Sequence, residues 1–405
     1  MGQWLAASSF LDMSTTTAEQ ALVSERLDQL LAEHDPQGDR TEFFGAQFDL
    51  GLGWVDFPEG SGGLGIGPGH QMQINHRLTE AGAPHPATYN IIGYGMGAPT
   101  VMVHGTDEQR ARWLRPLFTG EEVWCQLFSE PGAGSDVAGL ATRALRDGDQ
   151  WVVNGQKVWT TMAHVAKWGM LVARHDPGLP KHAGMTYFIV DMQAPGVEVR
   201  PLRQATGEAE FSEVYFTDTP IPDTDRLGEV GEGWRISLTT LMHERVAIGG
   251  NVLPRGSGPI GEAVSVWKDA PGDDAARDKL MRLWAEAEAA RLTNIRAAQL
   301  RERGTPGPEG SVAKLVYAEL NKRIYEHAMD LMGPAAMLYD SYEMAMPEDI
   351  SGERDIRKLF VRARANSIEG GTSEIMKNIL GERVLGLPGE PRVDKDLPWS
   401  DVPRS

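Results

Sequence analysis

Cysteine is nearly absent: the 405 residues hold one, Cys125. A lone thiol excludes an internal disulfide and a thiolate-rich metal site, and it suits a reducing compartment. Cys125 itself reads as a small buried hydrophobe. Long apolar runs are missing too, since none approaches the ~20 residues of a membrane span and no basic stretch opens a secretory leader. The expectation is a cytoplasmic protein with no membrane partner. Myristoylation is discarded, because Ala6 stands where Ser or Thr is wanted. Basic charge is scarce, with 39 Lys and Arg against 57 Asp and Glu and a net charge of −18. That balance disfavours nucleic acid as a partner and leaves any anionic substrate dependent on local cations. The ten histidines form no His-Glu-x-x-His spacing, so no metal is predicted.

What is present suits two to three domains of ordinary size. Residues 1–15 lack a period and read as a loose tail. Thr16 and Glu19 then form a capping box ahead of Val23, Leu27, Leu30 and Leu31 at helical spacing. Residues 51–67 are glycine-rich and read as a loop before a helix over 70–83. A second loop is predicted over 92–104, around Gly93, Gly95, Gly97 and Pro99, followed by a helix over 107–118. From 123 to about 222 the period becomes two. Asn154-Gly155, between 151–153 and 157–161, predicts a tight hairpin, and Asp147-Gly148 marks another turn. Further strands are predicted at 185–190, 197–202 and 213–217, giving an antiparallel barrel or sandwich. Helical spacing returns at Trp234, with long helices over 273–304 and 311–332 and a last one over 375–385 closed by Gly386 and Pro388. The fold class is α+β, divided at 1–120 (helical), 121–232 (β) and 233–405 (helical bundle).

Three places could carry chemistry. The run Trp124 to Asp136 ends its strand-like part at Glu130-Pro131 and passes into Gly132-Ala133-Gly134-Ser135. Exposed amides and a hydroxyl there can hold an anion or the acceptor edge of a heterocycle, although an ordinary turn reads the same way. A plain phosphate cradle is disfavoured, because no Lys follows the glycines and Glu130 and Asp136 would repel it. On the predicted strand, Lys157, Trp159 and Thr161 share a face by alternation, so Trp159 and Thr161 could wall a planar ring or simply pack. Glu244 lies on the helical face of Leu241, Ile248 and Val252. A carboxylate in an apolar stripe is a base with raised pKa, or one half of a salt bridge. The turn 369–374 leads into the last helix with Thr372 as its cap.

Together Ser129-Glu-Pro-Gly-Ala-Gly-Ser-Asp136, Asn154-Gly-Gln-Lys-Val-Trp-Thr-Thr161 and Gly370-Gly-Thr-Ser-Glu-Ile375 resemble the motifs of the acyl-CoA dehydrogenases. The likeness spans roughly residues 20–390. It implies an N-terminal helical domain, a middle antiparallel β-domain and a C-terminal four-helix bundle, assembled as a homo- or heterotetramer with non-covalent FAD. By this resemblance Gln126, Leu127, Phe128, Ser129, Gly134 and Ser135 line the flavin, with Ser129 bonded to its ring and Ser135 also near the CoA thioester. Trp159, Thr160 and Thr161 cover its other edge, Thr161 lying close to N5. Thr372 and Glu374 meet the nucleotide part, and Gly371 and Arg245 the substrate.

The implied reaction is α,β-dehydrogenation of an acyl-CoA, in which a carboxylate takes the α-proton, the flavin accepts a hydride, and a separate electron-transfer acceptor reoxidises it. Many members place the base directly before the Gly-Thr of the last motif, where this chain has Gly370. Glu369 lies one residue ahead, turned by about 100° on a helix end. Glu244, in Leu241-Met-His-Glu-Arg245, occupies the slot used by members acting on isovaleryl or long-chain thioesters, and is the predicted base. The Arg-x-x-Phe-Gly element that holds FAD across subunits is absent after residue 250, and Asp330 stands where a flavin-contacting Gln is frequent. These departures resemble an actinobacterial-type branch acting on bulky or steroid-side-chain thioesters, often as heterotetramers. A non-catalytic subunit completing a partner's site, and a flavin oxidase or monooxygenase, are the other readings of the same motifs.

Overall fold

Apolar side chains at helical spacing set the first elements: α1 (Met13–Glu33), α2 (Arg40–Asp49), α3 (His70–Glu80), α4 (Ala98–His104) and α5 (Asp107–Thr119). They come from a computed structural model that describes residues 13–249, 252–270, 272–302, 309–339, 341, 343–348, 355–391 and 394–403. The side chains of 13–17, 245–249, 301–302 and 309 fall outside that description. Most of the predicted loose tail also lies outside the described residues. α1 is described from Met13, so the Thr16 backbone already lies within the helix. The chain forms two compact units, Met1–Pro86 with Arg110–Glu121, and Ala87–Gln109 with Glu122–Ser405.

In the first unit, α2 is a helix the apolar period did not reveal. Asp39 caps it, accepting from the Glu42 amide at 2.8 Å, and Phe43, Phe44 and Phe48 are buried on it. The cluster continues to Trp54 and Phe118, whose rings meet edge to face at 5.0 Å.

The second unit holds the expected β-region. Its strands are β1 (Trp124–Leu127), β2 (Arg143–Asp147), β3 (Gln150–Thr161), β4 (Trp168–Arg174), β5 (Met185–Asp191), β6 (Val197–Leu202), β7 (Phe211–Pro222) and β8 (Arg226–Leu227). They make one eight-stranded sheet in the order β6-β7-β3-β2-β4-β5-β8, with β1 on β4. Pairing is antiparallel except that β1 runs parallel to β4, Trp124 beside Trp168, and β2 meets β4 in a parallel bridge at Arg143 and Arg174. β4 was not legible from alternation because every residue in it is buried.

Two expectations are overturned here. Asn154-Gly155 makes no hairpin: β3 runs straight through it, and the turn lies at Asp147-Gly148, where Asp147 faces Gln150. Asn154 is occupied laterally, exchanging hydrogen bonds of 3.0 Å with the side chain and amide of Asp218 on β7, and the register shifts beside it. The other is the loop at 92–104, which is helical: a π-turn over Gly93–Gly97 runs into α4. Asn90 starts it, its Oδ1 accepting from Gly93 and Trp124 amides at 3.2 and 3.0 Å. Burial of Met96, Ala98 and Val101 then outweighs the poor helix propensity of glycine.

The helices after the sheet are α6 (Gly233–Gly249), α7 (Pro259–Asp269), α8 (Asp274–Glu302), α9 (Glu309–Met332), α10 (Ile356–Arg362) and α11 (Ser373–Ile379). Ile260, Ala263, Leu280, Leu283, Leu320, Ile324 and Ala328 form a core shared by α7, α8 and α9. The chain then returns to the sheet as a strap. Trp399 and Ser400 amides donate to Leu179 and Pro177 carbonyls at 2.9 and 3.0 Å, and Arg174 stacks on the Trp399 ring at 4.4 Å. Among the described residues, no helix is long and apolar enough to cross a membrane.

Candidate active site

The first two motifs are held together by one buried ion pair. Lys157 is fully buried on β3, and its Nζ donates to Glu130 Oε1 at 2.8 Å and to the Phe128 carbonyl at 3.0 Å. Glu130 also accepts from the amides of Ala141 and Thr142, at 2.6 and 2.9 Å. Burial opposes ionisation of Glu130, but the Lys157 ammonium and these donors prevail and hold it below the usual carboxylate range. The Val158 amide adds a bond to the Ser129 carbonyl at 2.9 Å. The turn Gly132–Ser135 is thereby fixed at its base and open at its tip, where a Cβ on Gly132 or Gly134 would meet nothing.

Lys157 and Trp159 do not share a face, contrary to simple alternation. The register shifts between Lys157 and Thr160, and Trp159 takes a left-handed φ of 60°. The residue is 61 % exposed, which excludes the reading of Trp159 as core. A left-handed non-glycine residue costs on the order of 1–3 kcal/mol, a strain that gathers at functional sites. Next to it, Thr160 Oγ1 is buried without a hydrogen-bond partner, and Thr161 is half-buried. Gln126 and Ser129 are half-buried, Leu127 and Phe128 are buried, and Gly134 and Ser135 are exposed.

From Trp159 a chain of contacts leads to the third motif. Trp159 stands edge-on to Phe211 at 5.9 Å, and the Arg362 guanidinium lies over Phe211 at 5.4 Å. Arg362 donates to Glu210 at 2.8 Å and grips Glu369 through both terminal nitrogens, at 3.1 and 2.8 Å. Asn366 Nδ2 donates to Glu369 at 2.7 Å as well. Burial works against the Arg362 charge, but Glu369 and Glu210 outweigh it and raise its pKa further. Both Glu369 oxygens are therefore engaged.

Glu244 is half-buried on α6, less enclosed than a full apolar stripe would make it. Val252 lies outside α6, which is described as far as Gly249. The side chains of Ile248 and Arg245 lie outside the described residues. α6 is seated one turn earlier: Thr240 Oγ1 bonds with Thr100 at 3.0 Å and with the Tyr187 hydroxyl at 3.1 Å. Glu244, four residues on, projects from the same side. In the last motif Thr372 caps α11 as predicted, its Oγ1 accepting from the Ile375 amide at 3.1 Å. Gly371 takes a φ of 92° and Glu374 is exposed. Arg362, Glu210 and Phe211 went unnoticed in the sequence. Asp330 pairs with Lys279 at 3.1 Å.

Three acyl-CoA dehydrogenase models match this chain in series: the N-terminal domain over 14–121, the middle domain over 125–219 and the C-terminal domain over 231–385. Over 80 % of its length it is 40 % identical to acyl-CoA dehydrogenase FadE34 of Mycobacterium tuberculosis, of which it spans only 43 %. Over 88 % of its length it is 37 % identical to acyl-CoA dehydrogenase IpdE1 of the same organism, of which 90 % is covered. Among solved structures, the Tcur3481-Tcur3483 steroid ACAD aligns with a TM-score of 0.71 at 25 % identity, over 92 % of this chain and 98 % of that one. The ChsE4-ChsE5 complex of Mycobacterium tuberculosis aligns with a TM-score of 0.68 at 27 % identity, over 95 % and 100 %. Motifs, element order and relatives agree: the chain belongs to the acyl-CoA dehydrogenase family.

Proposed function

We propose that the chain carries out FAD-dependent α,β-dehydrogenation of an acyl-CoA thioester, with Glu244 as the base that takes the α-proton. The observation that carries the choice of base is the double engagement of Glu369 by Arg362 and Asn366. Protonating a carboxylate so paired would forfeit its charge-assisted bonds, which makes it a poor base. Glu244 would approach the site from α6, the helix seated by Thr240.

The residues present fit a flavin. An exposed Trp159 face, an orphaned buried Thr160 hydroxyl and an open glycine turn form a wall, a donor and a gap suited to a planar heterocycle. FAD, when bound, supplies the hydride acceptor. Gln126, Leu127, Phe128, Ser129, Gly134 and Ser135 would line it on one side and Trp159, Thr160 and Thr161 on the other, with Thr372 and Glu374 toward its nucleotide. Ser135, Gly371 and Arg245 would hold the thioester. Both named structures pair two components and one is a steroid ACAD, which supports a bulky thioester substrate and a heteromeric, tetramer-type assembly. This chain spans 43 % of FadE34, which leaves length there for a second part and agrees with a two-part enzyme. Division near residues 120 and 232, a cytoplasmic location and a separate electron acceptor complete the proposal.

Anaerobic addition of octanoyl-CoA and of a steroid-side-chain CoA thioester tests it: one of them bleaches the bound flavin. Glu244→Gln should keep FAD and slow bleaching by about 100-fold or more, the loss typical of a general base. Wild-type bleaching in Glu244→Gln, with its loss in Glu369→Gln, would reverse the assignment. Bleaching that appears only with a partner chain would make this a supporting subunit, and rapid oxygen uptake would make it an oxidase.

A further inference from the structure

α9 carries a lysine inside an apolar run, Ser311-Val-Ala-Lys-Leu-Val316, and Lys314 is fully buried. A buried ammonium is costly unless it finds acceptors. This one finds two backbone carbonyls, Asn366 O at 2.7 Å and Gly371 O at 2.5 Å. They bracket the left-handed Gly370 (φ 61°) and the segment before it, so one cation ties both ends of the glycine turn to α9. Glu319, from the same helix, adds a second tie: it accepts from Ser367 Oγ at 3.1 Å and Ser373 Oγ at 2.7 Å. The carboxylates acting on the ammonium come from every side: Glu369 from the turn, Glu244 from α6, Glu319 from α9 itself and Glu374 from α11. Burial holds the Lys314 pKa below its usual value, and those four carboxylates offset this only in part.

We propose that Lys314 is a positioning residue of the dehydrogenase site, clamping the turn 366–371 against α9 and keeping a positive charge within electrostatic reach of Glu244. The inference rests on the reading of Glu244 as base. Lys314 acts through other groups: the clamp fixes Gly371 on the thioester side, and the charge favours the ionised Glu244 that must be present before proton abstraction.

Lys314→Met keeps an unbranched stem and removes the charge with both donors. In the protein as purified, amide exchange over 366–373 should accelerate about tenfold or more while β4 and β5 stay protected. With octanoyl-CoA and a steroid-side-chain CoA thioester as probes, anaerobic flavin reduction at saturation should slow about tenfold or more, with a smaller change in half-saturation. The acid limb of its pH profile should move to higher pH, since losing a nearby cation makes Glu244 easier to protonate. A lysine that serves stability alone would lower the melting temperature and leave that limb in place, which overturns the proposal, as does unchanged exchange in the turn. If Lys314→Met does not fold, Lys314→Gln, neutral and able to donate to one carbonyl, carries the same readouts. A wild-type protein that neither probe bleaches would instead overturn the dehydrogenase reading, and amide exchange would still decide the clamp.

Discussion

Glu130 and Lys157 show how much one buried pair can settle at the residue scale. Each sits in a different motif, and together they make a single rigid base for the open turn. Breaking such a pair strands a charge, so Lys157→Met should cost about 3–5 kcal/mol in a urea titration. The double variant Lys157→Met/Glu130→Gln should lose less than the sum of the singles, and additivity would show that the two do not act as a unit. Trp159→Ala should lower FAD content, read as flavin absorbance per protein; unchanged content would mean that the exposed ring does not wall the cofactor. Legibility at this scale was uneven. The three motifs were readable because their residues are neighbours in the chain. The grip of Arg362 on Glu210 and Glu369 was not, since a cation's partners arrive from elements far apart in sequence. Nor could alternation foresee Trp159, because one left-handed residue reverses the face of everything after it.

Among the elements, the turn between α10 and α11 depends on hydrogen bonds more than on apolar packing. Thr372→Ala removes the α11 cap and should destabilise by about 1 kcal/mol, measured by thermal melting. The pH response follows from Glu319. Lys322 and Ser373, with Ser367, hold it down to about 2 from an ordinary 4.5. A folded-state pKa depressed in this way stabilises fully above the ordinary value, and the contribution drains away as pH falls from 4.5 toward about 2. The melting-temperature gap between wild type and Glu319→Gln should therefore close across that window, and a gap that persists at its lower end would refute the assignment. Long helices such as α8 and α9 were legible because a 3.6 period sustained over many turns is hard to mistake. Short ones were lost: α2 and α10 hold too few turns to display a period, and their cap residues Asp39 and Asp355 were the readable clue. Asn154-Gly155 misled for the converse reason, a strong local turn signal overruled by side-chain bonds to Asp218.

At the scale of the whole molecule, the class and the helical, β, helical order were legible, whereas the sheet's internal wiring was not, because pairing partners are chosen by burial and crossover. The strap over 394–403 is one such long-range choice. It stacks Trp399 on buried Arg174 and donates from the Trp399 indole to the Gly139 carbonyl at 3.2 Å, while Lys181 joins Asp394 at 2.7 Å to Asp136 at 3.0 Å. Trp399→Ala should cost about 1–2 kcal/mol from the desolvated cation–π contact, seen as a lower melting temperature; no change would mean the strap is dispensable to the sheet. The parallel seat of β1 on β4 has a further consequence. β1 leaves the ribosome before the strand it needs, so it must wait while β2, β3 and β4 are made and the intervening loop is closed. In refolding followed by pulsed hydrogen exchange, protection at 143–174 should precede protection at 124–135, and simultaneous protection would contradict this order. The turn that would receive the flavin follows β1 directly, so birth order and assembly order are opposed there: a flavin, if that turn holds one, would be a tenant of a finished frame.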